Sequence, residues 1–294
     1  MSLPASTWDW DSSYPAPAKL NLCLRIVGRR SDGYHLLQTV FRFLEHADRL
    51  HFSPRDDAAI RLTTPLPGVP PENDLSVRAA RLLQTESGCR QGVDIHVEKR
   101  LPLGGGLGGG SSDAATVLLA LNHLWQLGLP RQRLQQIGLA LGADVPVFVF
   151  GSNAFAEGVG ETLRAIELPA RWYVVVEPPV QVPTALIFAA PELRRDAPAI
   201  TADDWHPGAI GNELEAVACS RFPAIADCLR QLSAAAAPAR ARMTGSGACV
   251  FAECSSHEQA AATLRRLPSG MRAWASAGAA RSEEHTSELQ SRQY

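Results

Sequence analysis

The chain is short of several features that would announce a function. Its 294 residues contain no run of about 18 apolar residues, so no membrane-spanning helix is expected. Neither sign of charge prevails: 28 Lys and Arg stand against 30 Asp and Glu, a net charge of −2. Nucleic acid is therefore not expected as a partner, nor is an acidic disordered tail. The six cysteines, Cys23, Cys89, Cys219, Cys228, Cys249 and Cys254, form no Cys-x-x-Cys pair. The chain is also far too long for a disulfide scaffold, so buried free thiols are expected. The N-terminal stretch is polar and Pro-rich and lacks the basic-then-apolar layout of a secretion signal, which points to the cytoplasm. There is no internal repeat.

Apolar residues, by contrast, make up 46% of the chain, enough for a large core or two smaller ones. Leu20, Leu22, Leu24 and Ile26 alternate and predict a half-buried strand over 18–27. Asp32-Gly33 is a turn signal. Residues 36–44 and 49–52 predict two strands joined by a short polar turn, and Val93, Ile95 and Val97 another. Helices are predicted over 75–86, 112–127 and 131–141, and a strand over 145–150. From Arg171 the pattern restarts, with strands over 172–177, 242–244, 248–253 and 271–276 and helices over 213–218, 223–235 and 257–267. Strands and helices mix without regular βαβ alternation, so the class is α+β. The break predicts two domains, 1–163 and 164–280. The polar segment 281–294 carries no apolar stripe, is similar to a translated adaptor sequence, and is read as foreign to the fold.

Glycine is concentrated as nothing else is: six fall in the seven residues 104–110, between a strand and a helix. Each glycine in ordered structure costs roughly 0.5–1 kcal/mol relative to alanine. Such a run makes sense where bare amides turn toward an anion at a helix N-terminus. A flexible loop or tight packing is the plainer reading, and Ser111, Ser112 or Asp113 can simply cap the helix. The Walker pattern is absent, because Gly110 rather than Lys precedes Ser111. Gly104, Gly106 and Gly109 satisfy Gly-x-Gly-x-x-Gly, which leaves a nicotinamide-dependent oxidoreductase as an alternative. The acidic residue that such a fold places about 20 positions on is missing around Gly128-Leu129-Pro130-Arg131. The protein-kinase companion motifs are missing too. A catalytically silent nucleotide-binding protein is a third possibility.

Three stretches together resemble a known family. Pro102-Leu103-Gly104-Gly105-Gly106-Leu107-Gly108-Gly109-Gly110-Ser111-Ser112 is similar to the central loop of the GHMP kinases, the small-molecule kinases of galactose, homoserine, mevalonate and phosphomevalonate. Pro17-Ala18-Lys19-Leu20-Asn21-Leu22 resembles their first motif, and Met243-Thr244-Gly245-Ser246-Gly247-Ala248-Cys249 their third. Asp32-Gly33-Tyr34-His35, Gly142-Ala143-Asp144-Val145-Pro146 and Phe155-Ala156-Glu157-Gly158-Val159-Gly160 resemble the branch whose acceptor is a cytidine-diphosphate-linked methylerythritol, in the non-mevalonate route to isoprenoids. The resemblance spans residues 15 to about 277.

It implies a two-domain GHMP-kinase-like α+β fold, ribosomal S5 domain 2-like at the N-terminus and ferredoxin-like at the C-terminus, acting as a monomer or homodimer. It implies ATP with Mg²⁺, held by the 102–112 loop, with Asn73 toward the adenine and Ser112 as a possible metal ligand. Lys19 and Asp144 are implied as the catalytic pair. Tyr34, His35 and Phe188 would hold the cytosine, and Asn21, Thr184, Gly245, Ser246 and Gly247 would line the rest of the acceptor site. From pattern alone, Lys19 also fits a solvated edge lysine, Asp144 a turn cap, Phe188 ordinary core, and Gly245-Ser246-Gly247 a plain hairpin.

Overall fold

The leucine alternation builds the first strand, β1 (Tyr14–Arg29), but that strand is buried on both faces rather than one. The computed structural model describes residues 8–66 and 68–280; the segment read as foreign to the fold lies outside them. β1 pairs antiparallel with β2 (His35–Arg55), a single strand of 21 residues where the pattern predicts two. The polar residues at 45–48 do not turn the chain, because Asp48 is buried and takes its partners from the start of the glycine loop. After β3 (Ile60–Leu62) and a 3₁₀ turn at Pro71–Asn73 comes helix α1 (Leu75–Ser87). It is capped by Asp74, which accepts from the Ser76 N–H at 2.8 Å, and is ended by left-handed Gly88.

β4 (Gly92–Glu98) leads into the glycine loop and α2 (Gly109–Leu124), which begins three residues earlier than the periodicity predicts. α3 (Arg131–Leu139) follows. The predicted strand over 145–150 is helix α4 (Val145–Phe150). Its Val and Phe residues favour strand, yet it packs between α2 and α3 with no strand to pair, Pro146 suits a helix start, and Gly151 closes it in the left-handed region. β5 (Ala154–Glu157) and β6 (Thr162–Ala165) form a short hairpin that no alternation signals.

The remainder comprises β7 (Trp172–Glu177), α5 (Thr184–Phe188), α6 (Glu215–Arg221), α7 (Pro223–Ala236), β8 (Arg242–Met243), β9 (Val250–Cys254), α8 (His257–Arg266) and β10 (Arg272–Ala279). The strand order is β3-β4-β2-β10-β7-β9-β8, with β1 and the β5–β6 hairpin attached to β2. β10 runs along β7 and then places Gly278 and Ala279 against Leu44 and Phe43 of β2, so one sheet passes through both halves. One hydrophobic cluster lies under α1, α2 and α4, and another under α6 and α7. A third joins Leu20, Leu22, Leu101, Leu107, Cys249 and Phe251 beneath the glycine loop. All six cysteines are free; Cys89 and Cys219 are half-buried rather than buried. Among the described residues no helix is long and apolar enough to cross a membrane.

Candidate functional site

The pairing of β1 with β2 slips between Pro17 and Lys19 and again between Asn21 and Cys23. Such irregularities re-aim side chains, and these two bracket Lys19 and Asn21. Both side chains line a cleft of about 710 Å³. Lys19 is only 2% exposed, so it is no solvated edge lysine. Its Nζ donates to Asn21 Oδ1 at 2.6 Å, lies 3.2 Å from Asp144 Oδ2, and sits over the Phe41 ring at 5.4 Å. Asp144 stands at the N-cap position of α4, yet its side chain makes no capping hydrogen bond. It faces the cleft, 37% exposed, with the ammonium as its partner. Asn21 is held in turn: its Nδ2 donates to Thr39 Oγ1 at 2.9 Å, and its main-chain N–H donates to Thr244 Oγ1 at 3.0 Å.

The glycine loop is tied by three consecutive carbonyls. Gly105 O accepts from the Cys249 N–H at 3.1 Å, and Leu107 O from the Lys19 N–H at 2.9 Å. Between them Gly106 O accepts from Thr244 Oγ1 at 3.3 Å. In a trans peptide the next amide points opposite to the carbonyl, so the N–H groups of Gly106, Leu107 and Gly108 face away from these ties. α2 starts immediately afterwards with its first amides free of intrahelical acceptors. The run therefore supplies a cradle of main-chain donors at a helix N-terminus. Two positions show why side chains are excluded. Gly106 has φ +74°, and a Cβ there would sit 2.3 Å from Thr244 O. Gly108 also has φ +74°, with a Cβ 2.8 Å from Phe148 and 3.2 Å from Lys19 Cε.

Behind the loop lies a buried ionic cluster that sequence reasoning missed. Asp48 accepts from the N–H groups of Arg100 and Leu101 at 2.6 and 2.8 Å. Lys99 bonds both Asp48 and Asp113, the latter at 2.8 Å. One ammonium thus serves two buried carboxylates, and Asp113 Oδ1 has no partner. Burial, reinforced by the nearby Asp48 charge, pushes the Asp113 carboxyl up to about 7. The chain contains two lysines, Lys19 and Lys99, and both flank this loop.

Across the cleft, His35 at the start of β2 and Phe188 at the end of α5 bring their rings to 5.1 Å at 37°. Tyr34 stands 63% exposed on the turn before them. Thr184 and Ser246 share a hydrogen bond of 2.8 Å at the cleft edge. Asn212 fixes the third motif, its Nδ2 donating to the carbonyls of Met243 and Gly245 at 3.0 and 2.7 Å. Arg195 donates to His35 Nε2 at 3.0 Å and to the Phe188 carbonyl at 3.0 Å.

The cleft brings together Lys19, Asn21, Tyr34, His35, Gly104, Gly106, Ser111, Asp144, Thr184, Phe188 and the turn of Gly245, Ser246 and Gly247. Other expected positions fall elsewhere. Ser112 is fully buried and its Oγ has no partner, because one residue further along the helix turns it toward the core; Ser111 is the hydroxyl that faces the cleft. The Ser112 hydroxyl, expected as a metal ligand, thus does not line the cleft. Pro102, Leu103 and Gly105 line a separate cavity of about 470 Å³ on the outer side of the loop. Leu107 is buried in the junction cluster, and Gly109 and Gly110 are absorbed into the first turn of α2. Asn73 is exposed in the turn before α1, whose Leu75 approaches Gly110. Among the described residues no group of three or more His, Cys, Asp or Glu is placed to hold a metal.

The chain is similar to known proteins over most of its length. A model of the GHMP kinases N terminal domain matches residues 74–152, and one of the GHMP kinases C terminal matches 198–273. The 4-diphosphocytidyl-2-C-methyl-D-erythritol kinase of Dechloromonas aromatica (strain RCB) is 62% identical over 265 residues, covering 90% of this chain and 96% of that protein. The kinase of the same name from Nitrosospira multiformis is 54% identical over 287 residues, covering 95% and 97%. A crystal structure of 4-(cytidine 5'-diphospho)-2C-methyl-D-erythritol kinase superposes with a TM-score of 0.78 at 36% identity, covering 91% of this chain and 99% of that one. A homoserine kinase from Cytophaga hutchinsonii, at 16% identity and a TM-score of 0.64 over 96% of this chain and 98% of its own, shares the fold. The chain belongs to the GHMP kinase family.

Proposed function

We propose that the chain transfers the γ-phosphoryl group of ATP to the 2-hydroxyl of 4-diphosphocytidyl-2-C-methyl-D-erythritol, a step of the methylerythritol phosphate route to isoprenoid precursors. The observation that carries this reading is the Lys19–Asp144 pair, 3.2 Å apart and facing one cleft with the glycine loop. Phosphoryl transfer asks a protein mainly to align the reactants and to stabilise charge spread over phosphate oxygens. The amides of residues 106–108 and the first turn of α2 receive the phosphates, with the adenine toward α1 and Asn73. The acceptor oxygen attacks the γ-phosphorus, the bond to the bridging oxygen breaks, and ADP leaves with that electron pair. Asp144 orients the hydroxyl and takes its proton. Lys19 holds Asp144 in place and faces the transferring group.

Magnesium bound with ATP would offset the charge of the phosphate oxygens. Such an ion needs only one or two protein oxygens, and the Ser111 hydroxyl at the helix start fits that part. The cytidine base lies among Tyr34, His35 and Phe188, and the turn of residues 245–247 covers the methylerythritol. In this reading, residues 1–163 carry the ATP and most of the catalytic groups, and residues 164–280 complete the acceptor side.

The test is direct. Purified protein incubated with ATP, Mg²⁺ and the cytidyl substrate should yield ADP and a product heavier by one phosphate. Methylerythritol phosphate without the cytidine, homoserine and mevalonate should not turn over. Equal turnover of any of these would overturn the assignment of the acceptor.

A further inference from the structure

Arg195 lies on the loop after α5, far from His35 in sequence, and its guanidinium uses four of its five N–H donors. Its Nε donates to His35 Nε2 at 3.0 Å, Nη1 to Leu193 O at 2.8 Å, and Nη2 to Phe188 O and Ala190 O at 3.0 and 2.7 Å. A guanidinium has only donors. His35 Nε2 must therefore be the bare, accepting nitrogen, and the neutral ring carries its proton on Nδ1. Burial, followed by the charges of Arg195 and Arg29, pushes the proton affinity of His35 below the ordinary histidine value, which keeps the ring neutral. Among the described residues Nδ1 has no hydrogen-bond partner in the protein. His35 itself lines the cleft beside Phe188.

We propose that Arg195 is a positioning residue that sets base specificity: it locks His35 as the Nδ1–H tautomer, so the pocket offers a donor to a base whose ring edge accepts. Cytosine presents a bare N3 with a neighbouring carbonyl, whereas uracil presents N3–H. An N–H aimed at an N–H leaves both unpaired, and a site built around one hydrogen bond rejects the wrong partner strongly. The same guanidinium holds the Phe188 and Ala190 carbonyls, so the end of α5 and the histidine ring move together. The inference rests on the reading that the cytidine base occupies this pocket.

The experiment has two readouts. In protein labelled with ¹⁵N histidine, the ring nitrogens of His35 should report protonation at Nδ1, and Arg195→Met should lose that preference. In kinetics, Arg195→Met should raise KM for the cytidyl substrate about tenfold, leave KM for ATP unchanged, and lower kcat less than KM rises. The preference for the cytidyl over the matching uridyl substrate, about 100-fold or more in the wild type, should fall about tenfold. Arg195→Lys, which keeps a cationic donor, should recover part of both. A wild-type spectrum with the proton on Nε2 overturns the proposal, even if Arg195→Met fails to fold. So does a folded Arg195→Met that keeps both tautomer and selectivity. If instead the wild type uses both bases equally and His35→Ala leaves KM unchanged, the base does not sit in this pocket, and the placement falls together with the inference.

Discussion

The two walls of the cleft are built in opposite ways. The wall proposed to take the phosphates, the phosphate wall, is main chain, tied by consecutive carbonyls to the first and third motifs and braced behind by the buried Asp48–Lys99–Asp113 cluster. The wall proposed to take the acceptor is side chains, with Tyr34 largely in solvent and His35 and Phe188 held by one guanidinium. Amides recognise any phosphate and carry no information about what it is attached to. Aromatic faces and a ring nitrogen do carry such information. In the proposed reading, therefore, the first wall suits any phosphate donor and the second selects the acceptor.

Lys19 and Asp144 stand between the walls, and substitution there should have the largest effect. Asp144→Asn keeps the shape and removes the acceptor for the hydroxyl proton. It should lower kcat by roughly 10²–10⁴, the usual range for a positioned acid or base, with ATP affinity unchanged. Nucleotide titration beside steady-state rates checks this, and near-normal turnover removes Asp144 from the chemistry. Lys19→Met should cost at least as much, and its loss should appear in ATP binding too, because its ammonium faces both walls.

The main-chain wall can be broken at one atom. Gly106→Ala places a Cβ 2.3 Å from Thr244 O in the left-handed region, so backbone must shift. We expect KM for ATP to rise about tenfold or more and the protein to lose ~2 kcal/mol or more of stability. Gly104→Ala is the control: its φ is +70° but nothing lies within 4 Å of the added carbon. It should cost only about 1–2 kcal/mol of backbone strain. Thermal melts and ATP titrations of the pair separate crowding from strain; equal effects would mean that the close approach to Thr244 is unimportant.

Those glycines are legible in the amino-acid sequence itself, and the contrast between the walls says why. A main-chain site must be made by residues without side chains, so it writes itself as composition in one short stretch. The family resemblance adds Lys19 and Asp144, and the cleft unites them. What stays hidden in sequence is whatever acts through a remote partner. Asn212, Thr244 and Arg195 are ordinary residues there, and their importance lies in contacts to Gly245, Asn21 and His35. Asp48 passes for part of a turn because a charge inside a strand reads as a break until its partner Lys99 is seen. Residues 145–150 mislead for the same reason: β-branched and aromatic content says buried, but only the neighbouring helices decide that no strand is there to pair. Ser111 and Ser112 are separable only by the phase of α2, which the early start of the helix inside the glycine run shifts.

The side-chain wall should respond more mildly. Tyr34→Ala removes one exposed face from the base and should raise KM for the cytidyl substrate about tenfold or more, with KM for ATP unaffected, since stacking on a base contributes ~1–3 kcal/mol. A parallel rise for both substrates would mean that the turn at Tyr34 supports the phosphate wall as well.

The effect least visible in turnover should come from behind the glycine-loop wall, where it touches stability alone. Burial, reinforced by the nearby Asp48 charge and only partly offset by Lys99, pushes the Asp113 carboxyl of the folded chain up to about 7 from the ordinary 3.8. Between those values the folded state binds the extra proton, so stability falls as pH rises. The contribution is fully present below about 4 and lost once pH passes about 7. Asn at this position keeps the volume and cannot titrate. Relative to Asp113→Asn, the wild type should therefore lose stability from about pH 4 to 7, by no more than about 1.4 kcal/mol per pH unit. Melting both proteins across that range decides the point. Parallel curves would show that Lys99 keeps both carboxylates ionised, which would make the brace a stable ion triad and the main-chain wall indifferent to pH.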